Sequence, residues 1–341
     1  MRVATALVAG ACATPDLVET AVRTALSRAG LYRAEQLLLF LTRDFARNAS
    51  AAVVAAARAG GCLQVSGMTT SGLLTEEGWQ LDRPAVAVMA IGESENSANS
   101  AWLSFTGQSR LPFDWVSNTG GGRPRFGLLD QGASCWQNAR LCAQGRAEWQ
   151  LAGLRQGAPL ISHGLRALGE WHTIGESRGY DVLQLDHQPA SDCLRRALPA
   201  DERQRLPVHQ VVALLDVLRP GIPVLSANAD GSLTLAEPLL PGQRIRWVMR
   251  QSLAAEREMQ QLMQSAVNLE NAPIFGLMFS CIGRGPLFYG GDDLDLLAFR
   301  QAFPKTPLLG AYGTGQIVPG TECNQLFTNA AVTLLFEETH V

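Results

Sequence analysis

The apolar positions of this 341-residue chain fall into two kinds of run. Residues 37–41 and 274–282 are short and almost wholly apolar, which predicts strands that are buried on both faces. Residues 15–29 and 252–269 instead repeat their apolar side chains every three to four positions, which predicts amphipathic helices. The two kinds of run follow one another along most of the chain. This alternation is typical of a layered α/β fold in which helices cover sheets.

The same criteria predict elements throughout the chain, and a mixed α+β arrangement is the alternative fold class. The predicted strands cover residues 2–9, 36–42, 62–67, 84–91, 126–129, 159–161, 180–185, 222–225, 233–236, 245–249, 273–281, 307–311 and 327–336. The predicted helices cover residues 15–29, 48–60, 135–151, 190–198, 252–269 and 293–303. Residues 94–122 show no period and predict a loop. A chain of this length is comfortable for two cores, so we predict domains over 1–175 and 176–341.

A short glycine-bounded phrase occurs once near each end of the chain. Residues 67–74 read GMTTSGLL and residues 310–317 read GAYGTGQI, each after an apolar run and a helix-like segment. Such a repeat predicts two duplicated α/β halves related by a pseudo-twofold axis. Turns of this type offer backbone N–H groups and nearby hydroxyls to a small anion. The alternative is a tight turn that simply needs glycine.

The composition excludes several classes of function. The net charge is −3 and the basic residues are scattered, which argues against nucleic-acid binding, and no apolar run is long enough to span a membrane. Seven cysteines without C-x-x-C spacing predict reduced thiols in the cytoplasm, and no metal-ligand cluster is predicted. Residues 1–13 could form a short signal peptide. The helix start at Thr14-Pro15-Asp16 favours a buried strand there instead.

Several motifs together resemble one known family. Residues 279–285 (FSCIGRG) resemble the F-x-C-x-G-R-G signature in the C-terminal half of FIST domains. Residues 310–317 resemble that family's later G-x-x-G-x-G-E-I element, and residues 67–74 resemble the matching element of its N-terminal half. The opening 1–16 and the segment 181–190 also fit. The chain is therefore similar to a standalone bacterial-type FIST protein with an N-terminal-like domain (1–175) and a C-terminal-like domain (176–341). Gln316 stands where the family usually has Glu, and residues 94–149 match poorly.

The resemblance implies a cytosolic sensory or signal-transduction module that binds a small ligand, with amino acids or small carboxylates as the expected class. Because the sequence contains no recognisable catalytic constellation, we expect no enzyme activity, and no cofactor is predicted. The expected partners are the small molecule and a signalling protein. Binding to nucleic acid or to a membrane is not expected. A protein-binding scaffold without a ligand, as in F-box relatives, is the alternative. A thiol enzyme using Cys281 is a third hypothesis, which would require a base such as His163, His172 or His209.

Arg284 is the strongest candidate for ligand binding, because it lies between two glycines directly after an apolar strand. A guanidinium can hold a carboxylate by two parallel hydrogen bonds. The alternative is a structural ion pair with an acid from the nearby segment 290–293. No catalytic residue and no metal ligand are predicted. The predicted ligand-binding residues are Ser280, Cys281, Arg284, Gly285, Gly313, Thr314, Gly315, Gln316, Thr69, Thr70 and Ser71.

Overall fold

The computed structural model describes residues 1–92, 101–120, 122–151, 154–200, 202–216, 219–267 and 272–338. Part of the predicted loop over 94–122, residues 94–100 and 121, lies outside the described residues. Two compact units are present, one formed by Met1–His163 with Glu258–Val341 and the other by Gly164–Arg257. The first unit is therefore built from both ends of the chain. No helix in the described ranges is long and apolar enough to cross a membrane.

The elements of residues 1–163 begin with the strand and helix that the apolar pattern predicts. The strands are β1 (Val3–Ala9), β2 (Gln36–Thr42), β3 (Val65–Thr70), β4 (Gly72–Thr75), β5 (Gly78–Gln80), β6 (Ala85–Ile91), β7 (Ala101–Thr106), β8 (Phe126–Leu129), β9 (Cys135–Gln137), β10 (Arg140–Leu141), β11 (Arg146–Leu151), β12 (Leu154–Gln156) and β13 (Leu160–Ser162). The helices are α1 (Pro15–Ala29), α2 (Ala49–Gly60) and α3 (Phe113–Val116), with a 3-10 helix over Arg43–Asn48.

The remainder of the chain begins with a run of strands and ends with a second strand-and-helix segment. The strands are β14 (Leu165–Arg178), β15 (Asp181–Leu185), β16 (Gln188–Pro189), β17 (Val211–Leu214), β18 (Ile222–Ala227), β19 (Leu233–Leu235), β20 (Arg244–Arg250), β21 (Phe275–Cys281), β22 (Leu308–Gly313), β23 (Gly315–Pro319), β24 (Asn324–Phe327) and β25 (Ala331–Glu338). The helices are α4 (Ala190–Ala197), α5 (Ser252–Val267), α6 (Pro286–Tyr289) and α7 (Leu294–Ala302), with 3-10 helices over Val208–Gln210 and Ile282–Arg284.

Three sheets form the first unit. The first has the order β1-β6-β2-β3-β9-β10, the second β11-β7-β8-β23-β24, and the third β12-β25-β21-β22-β4-β5 with β13 also on β25. Helices α1 and α2 cover one face of the first sheet with small apolar residues such as Ala21, Ala25 and Ala52. Helix α7 covers the third sheet through Phe299. The mixed α/β class is therefore confirmed.

One apolar core joins the three sheets. Phe40 of β2, Phe105 of β7 and Phe279 of β21 contact one another edge-to-face, with ring centroids 5.4, 6.1 and 6.0 Å apart. Each ring belongs to a different sheet, and each is fully buried. Edge-to-face pairs add to the stabilisation that burial of the rings already gives. The three aromatic rings therefore fix how the sheets of this unit pack.

The two glycine phrases lie in similar strand arrangements. Strands β2 and β3 are parallel with β6 antiparallel to β2, and β21 and β22 are parallel with β25 antiparallel to β21. The second strand of each phrase then leaves the parallel pair: β4 pairs with β22, and β23 pairs with β8. The internal duplication and its pseudo-twofold axis stay a prediction.

The predicted boundary between residues 175 and 176 falls inside β14, so the compact units divide the chain differently. Strand exchange between the chain ends explains the difference, because β22 and β23 pair with strands of the N-terminal segment. The second unit is a seven-stranded antiparallel sheet of order β14-β20-β17-β18-β19-β15-β16. Its own core contains Trp247 and includes Leu194 of α4.

The predicted helix over 135–151 is wrong, because this segment forms β9, β10 and β11. Alternate side chains of β11 are buried, which is the two-residue period of a half-buried strand. Asn138 and Ala139 link β9 to β10 with φ of 51° and 57°. Two consecutive positive φ values are typical of a two-residue hairpin turn.

The first glycine of each phrase is required by close strand packing. A Cβ on Gly67 would lie 1.8 Å from the carbonyl oxygen of Leu39, and a Cβ on Gly310 would lie 2.2 Å from that of Met278. We expect Gly310→Ala to lower the free energy of unfolding by roughly 3 kcal/mol in urea denaturation, because a backbone oxygen cannot move aside cheaply. Gly157→Ala is the matched control, since its nearest atom would lie at 3.6 Å. Equal stability of the two variants would contradict this explanation.

Candidate functional site

The structure brings the two glycine phrases together. The Ser71 N–H donates to the carbonyl oxygen of Tyr312 at 3.1 Å, and Gly72 lies opposite Tyr312 in the pairing of β4 with β22. Each phrase begins inside a parallel strand and runs past its carboxyl end, β3 in one case and β22 in the other. Carboxyl ends of parallel strands are the usual place for ligands in open α/β sheets. The predicted hydroxyl residues Ser71 and Thr314 therefore lie in one neighbourhood.

A polar cluster lies at this meeting point and consists of Arg43, Ser71, Asp130 and Thr314. The Arg43 guanidinium pairs with the Asp130 carboxylate at 2.6 Å, and the Ser71 hydroxyl donates to the same carboxylate at 2.9 Å. The Thr314 Oγ1 accepts from the Gln131 N–H at 3.4 Å. Burial raises the pKa of Asp130 above its ordinary value, and this effect outweighs the contacts with Arg43 and Ser71, which act to lower the pKa. These hydrogen bonds join the two phrases to the end of β8.

Asp130 is a residue that the sequence reasoning missed. It follows β8 in a region without a clear period, and no motif points to it. Its side chain is fully buried, whereas the Arg43 side chain is 49% exposed. The one signal in the sequence that could have indicated Asp130 is that this acid directly follows a strand of four residues.

Arg284 lies in a buried ion pair rather than at an open ligand site. Its side chain is 1% exposed, and its guanidinium donates to both carboxylate oxygens of Asp295 at 2.8 and 3.0 Å. It also donates to the carbonyl and the hydroxyl of Ser162 at 2.7 and 2.5 Å. Four of its five N–H donors are thus occupied. The alternative of a structural ion pair therefore describes Arg284, with Asp295 as the acid, two residues beyond the predicted segment 290–293.

The ion pair extends into a larger buried network. The Tyr289 hydroxyl donates to Asp295 at 2.8 Å, and the Ser162 hydroxyl donates to Glu258 at 2.8 Å. Burial works to lower the pKa of Arg284, but the adjacent Asp295 carboxylate outweighs it and raises that pKa. Burial and Asp295 together raise the pKa of Tyr289. The network therefore keeps Arg284 charged and Tyr289 neutral near pH 7.

Asp293 lies next to this network and begins helix α7. Its Oδ1 accepts from the Leu296 N–H at 2.9 Å, which is the arrangement of a helix N-cap, and its Oδ2 accepts from the Tyr312 hydroxyl. Burial, and after it the charge of Asp295, raises the pKa of Asp293 to about 6. Tyr312 belongs to the second glycine phrase, so this phrase contacts α7 directly.

The other predicted residues have mainly structural contacts. The Thr69 hydroxyl accepts from the Ser134 N–H at 2.9 Å, and the Thr70 hydroxyl donates to the Gly72 carbonyl at 2.9 Å. Ser280 is fully buried in β21. The Sγ of Cys281 is 4.0 Å from the amide oxygen of Asn329, which is not a base. These contacts hold strand ends in place and offer no group to a ligand.

The three predicted glycines are explained by close packing. A Cβ on Gly285 would lie 3.0 Å from the Tyr312 ring. Cβ atoms on Gly313 and Gly315 would lie 2.8 Å from side-chain atoms of Leu128 and Leu326. Each glycine therefore makes room for a neighbouring side chain, and ligand contact is not needed to explain any of them.

Gln316 is buried between two strands, and its amide suits that position. With the amide oriented as its neighbours require, its Nε2 donates to the carbonyls of Phe327 and Ala330 at 3.0 and 3.2 Å, and its Oε1 accepts from the Cys281 N–H at 3.0 Å. An ionised Glu here would face two carbonyl oxygens. The family's usual Glu would therefore have to be protonated to fit these contacts, whereas Gln fits them uncharged.

A cleft of about 610 Å³ lies beside Asp293. Its volume is within the usual range for a small-molecule site. Its walls come from three elements of the first unit: strand β1, the turn and strand around β5, and helix α7. The lining residues are Leu7, Ala9, Glu77, Gly78, Trp79, Gln80, Asp292, Asp293, Leu296, Leu297 and Arg300.

The charged groups of this cleft are mostly acidic. Glu77, Asp292 and Asp293 lie on its walls, and Arg300 is the basic residue among them. Glu77 pairs with Arg28 at 2.8 Å, while Asp293 is buried at the base of the cleft. A carboxylate in such a position keeps free lone pairs that a cation can take. The cleft therefore favours a ligand with a positively charged group.

Comparison with known proteins supports the resemblance over part of the chain. Residues 190–319 match the family model of the FIST C domain, and no family model covers the N-terminal half. An uncharacterized protein of Mycobacterium tuberculosis is 24% identical over 191 residues, which is 52% of this chain and 50% of that protein. An uncharacterized protein of Mycobacterium bovis is 27% identical over 202 residues, covering 55% of this chain and 52% of that protein.

A shorter match reaches F-box only protein 22 of Homo sapiens, with 41% identity over 64 residues, or 18% of this chain and 15% of that protein. The chain spans about half the length of the mycobacterial relatives it matches. The sequence match to the FIST C domain begins in the second compact unit at α4 and ends in the first at β23. It therefore includes Arg284, Asp293 and Asp295.

The buried ion pair predicts an asymmetric response to mutation. We expect Arg284→Met to lower the free energy of unfolding by roughly 3–5 kcal/mol, because it leaves Asp295 buried without its counter-charge. The double variant Arg284→Met/Asp295→Leu should recover part of that loss. Urea denaturation of both single variants and the double variant measures the coupling. Additive losses would show that the two side chains do not depend on each other.

The contacts of Gln316 predict a pH-dependent variant. Burial would raise the folded-state pKa of a Glu at this position above its unfolded value. Gln316→Glu should therefore be less stable than the wild type at pH 8 and should approach it as the pH falls toward 5, since the folded state then takes up the proton. Thermal unfolding across this pH range, with wild type as the control, measures the effect. A deficit that is independent of pH would contradict the proposed contacts.

Proposed function

We propose that this chain, whose residues 190–319 match the family model of the FIST C domain, senses a small ligand that carries a positively charged group and binds in the cleft beside Asp293. FIST domains form a family of sensory and signal-transduction domains. An α-amino acid is the ligand class that fits this proposal best. Its ammonium group would pair with Asp292 and Asp293, and its carboxylate with Arg300.

The observation that carries the proposal is the position of Asp293. This residue is 4% exposed and lies in a cleft of suitable size, and its pKa is raised to about 6. Acidic groups with perturbed pKa values in clefts are candidates for functional sites. A cation bound there would lower the free energy of the ionised carboxylate, which burial otherwise raises.

Asp293 also gives the ligand a route to the rest of the unit. Its two oxygens bond the first turn of α7 and the Tyr312 hydroxyl of the second glycine phrase. A ligand that draws on this carboxylate competes with both contacts. The proposed response is therefore a change at the start of α7 and at the end of β22. In this proposal Asp293 takes the place of Arg284 as the ligand-contacting residue. The N–H donors of Arg284 are occupied by Asp295 and Ser162.

We expect amines and amino acids to raise the melting temperature of the protein, because binding to the folded state stabilises it. Lysine, glycine and cadaverine would be compared with glutarate, which lacks an amine. The affinity, measured by calorimetry, should fall as the pH drops from 7.5 to 5, since Asp293 becomes protonated near pH 6 and loses its charge.

Asp293→Asn should abolish most of the response while it keeps an N-cap oxygen for α7. Arg300→Gln should weaken the response to amino acids but leave that to cadaverine unchanged. Asp44→Asn is the matched control, because Asp44 is exposed and does not line the cleft. A protein that responds to none of these amines, or equally to glutarate, would contradict the proposal and favour the protein-binding scaffold.

A further inference from the structure

The outer edge of strand β1 carries backbone groups that no other strand pairs. Strand β1 is the edge of the first sheet and pairs with β6 alone among the described strands. Its register places Arg2 opposite Gly92 and Gly10 opposite Pro84, and hydrogen bonds of 2.9 Å join both pairs. In an antiparallel ladder, hydrogen-bonded and non-hydrogen-bonded pairs alternate. The even-numbered residues therefore face β6, and the N–H and C=O groups of Val3, Thr5, Leu7 and Ala9 face outward.

One of these outward groups has an observed contact that confirms the direction. The Thr5 carbonyl accepts from the Arg28 guanidinium at 3.0 Å, and the Thr5 hydroxyl donates to Glu76. Side chains thus cover the edge at Thr5. The next two outward residues, Leu7 and Ala9, line the cleft instead. The cleft therefore has unpaired main chain along one wall.

A second strand edge also lines the cleft. Gly78, Trp79 and Gln80 form β5, which is the last strand of the third sheet and pairs with β4 alone among the described strands. Addition of a peptide strand to an exposed edge is a common mode of recognition, in which the main chain gives affinity and side-chain pockets give specificity.

We propose that the ligand of this cleft is an extended peptide segment that pairs with the β1 edge at Leu7 and Ala9 and places a Lys or Arg side chain beside Asp293. This inference rests on the proposed function and narrows its ligand class. Charge complementarity selects the basic side chain, because Asp292 and Asp293 outnumber Arg300 on the cleft walls, while Glu77 is paired with Arg28. Trp79 also lines the cleft and can pack against the methylene stem of that side chain.

Spacing distinguishes a peptide from a free amino acid. The outward groups of Leu7 and Ala9 are two residues apart, which is about 6.8 Å along a strand. A free amino acid has one ammonium and one carboxylate and cannot bond both positions while its side chain reaches Asp293. A peptide repeats its N–H and C=O groups at this same spacing. The peptide should therefore bind more tightly than the free residue.

The test compares ligands by calorimetry with the full chain. The ligands are free lysine, the capped peptide Ac-Ala-Val-Lys-Val-Ala-NH2, the same peptide with Ala in place of Lys, and two versions N-methylated at alternate backbone positions. We expect the capped peptide to bind at least about tenfold more tightly than lysine, since each main-chain hydrogen bond adds up to about tenfold. The Ala-substituted peptide should lose most of this affinity. One N-methylated version should bind and the other should not, because only alternate N–H groups face β1.

A protein variant tests the edge itself. Ala9→Pro removes the outward N–H of Ala9 and no bond to β6, and proline is tolerated at edge positions of this kind. We expect it to weaken peptide binding roughly fivefold relative to the wild type. Ala9→Ser keeps the N–H and controls for the side chain. Val3→Pro also removes an outward N–H, but Val3 does not line the cleft, so this variant should bind the peptide normally.

The outcomes separate the two proposals. If lysine and the peptide bind equally, or if Ala9→Pro binds the peptide as well as Ala9→Ser does, the strand-pairing inference is overturned and the small-ligand proposal stands. If neither lysine nor any peptide binds, both are overturned. If the peptide binds and Asp293→Asn leaves its affinity unchanged, the edge is a docking surface but the assignment of the basic side chain is wrong.

Discussion

The buried hydrogen-bond network of the first unit depends on one constraint, which is the burial of the Arg284 guanidinium. A charge as deeply buried as that of Arg284 costs several kcal/mol unless its donors are satisfied. Asp295 and Ser162 satisfy them from α7 and β13, two elements far apart in sequence. Tyr289 and Glu258 then complete the hydrogen bonds of those partners. The glycines on either side of Arg284 therefore serve a structural centre, and the proposed ligand site lies beside that centre.

Asp293 links this centre to the cleft. Asp295 lies two residues further along the chain and bonds Arg284 and Tyr289, whereas Asp293 lines the cleft. The negative charge of Asp295 is one of the causes that raise the pKa of Asp293. The buried ion pair thus tunes an acid that it does not itself contact. A change in the ion pair would therefore change the pKa of Asp293 in the cleft without any change in the residues that line the cleft.

Local patterns predicted the elements well, and long-range pairing explains what they missed. Solid apolar runs located β2 and β21, and the helix period located α1 and α5. The predicted helix over 135–151 failed because β11 derives its structure from pairing with β7, which no local window contains. The meeting of Ser71 with Tyr312 was only one possibility from the sequence, and Asp130 was not considered. The flanking glycines drew attention to Arg284, but the acid that holds it and the cleft itself depend on which distant strands are neighbours.

The exchange of strands after the two glycine phrases has a consequence for synthesis. Strand β4 pairs with β22, and β8 pairs with β23, across more than 180 residues in each case. A growing chain therefore exposes β4 and one side of β8 until β22 and β23 have left the ribosome. Unpaired strand edges of this kind attract other chains. Contacts so distant in sequence also slow folding. The apolar edges that the folded first unit hides are therefore available to chaperones until that point.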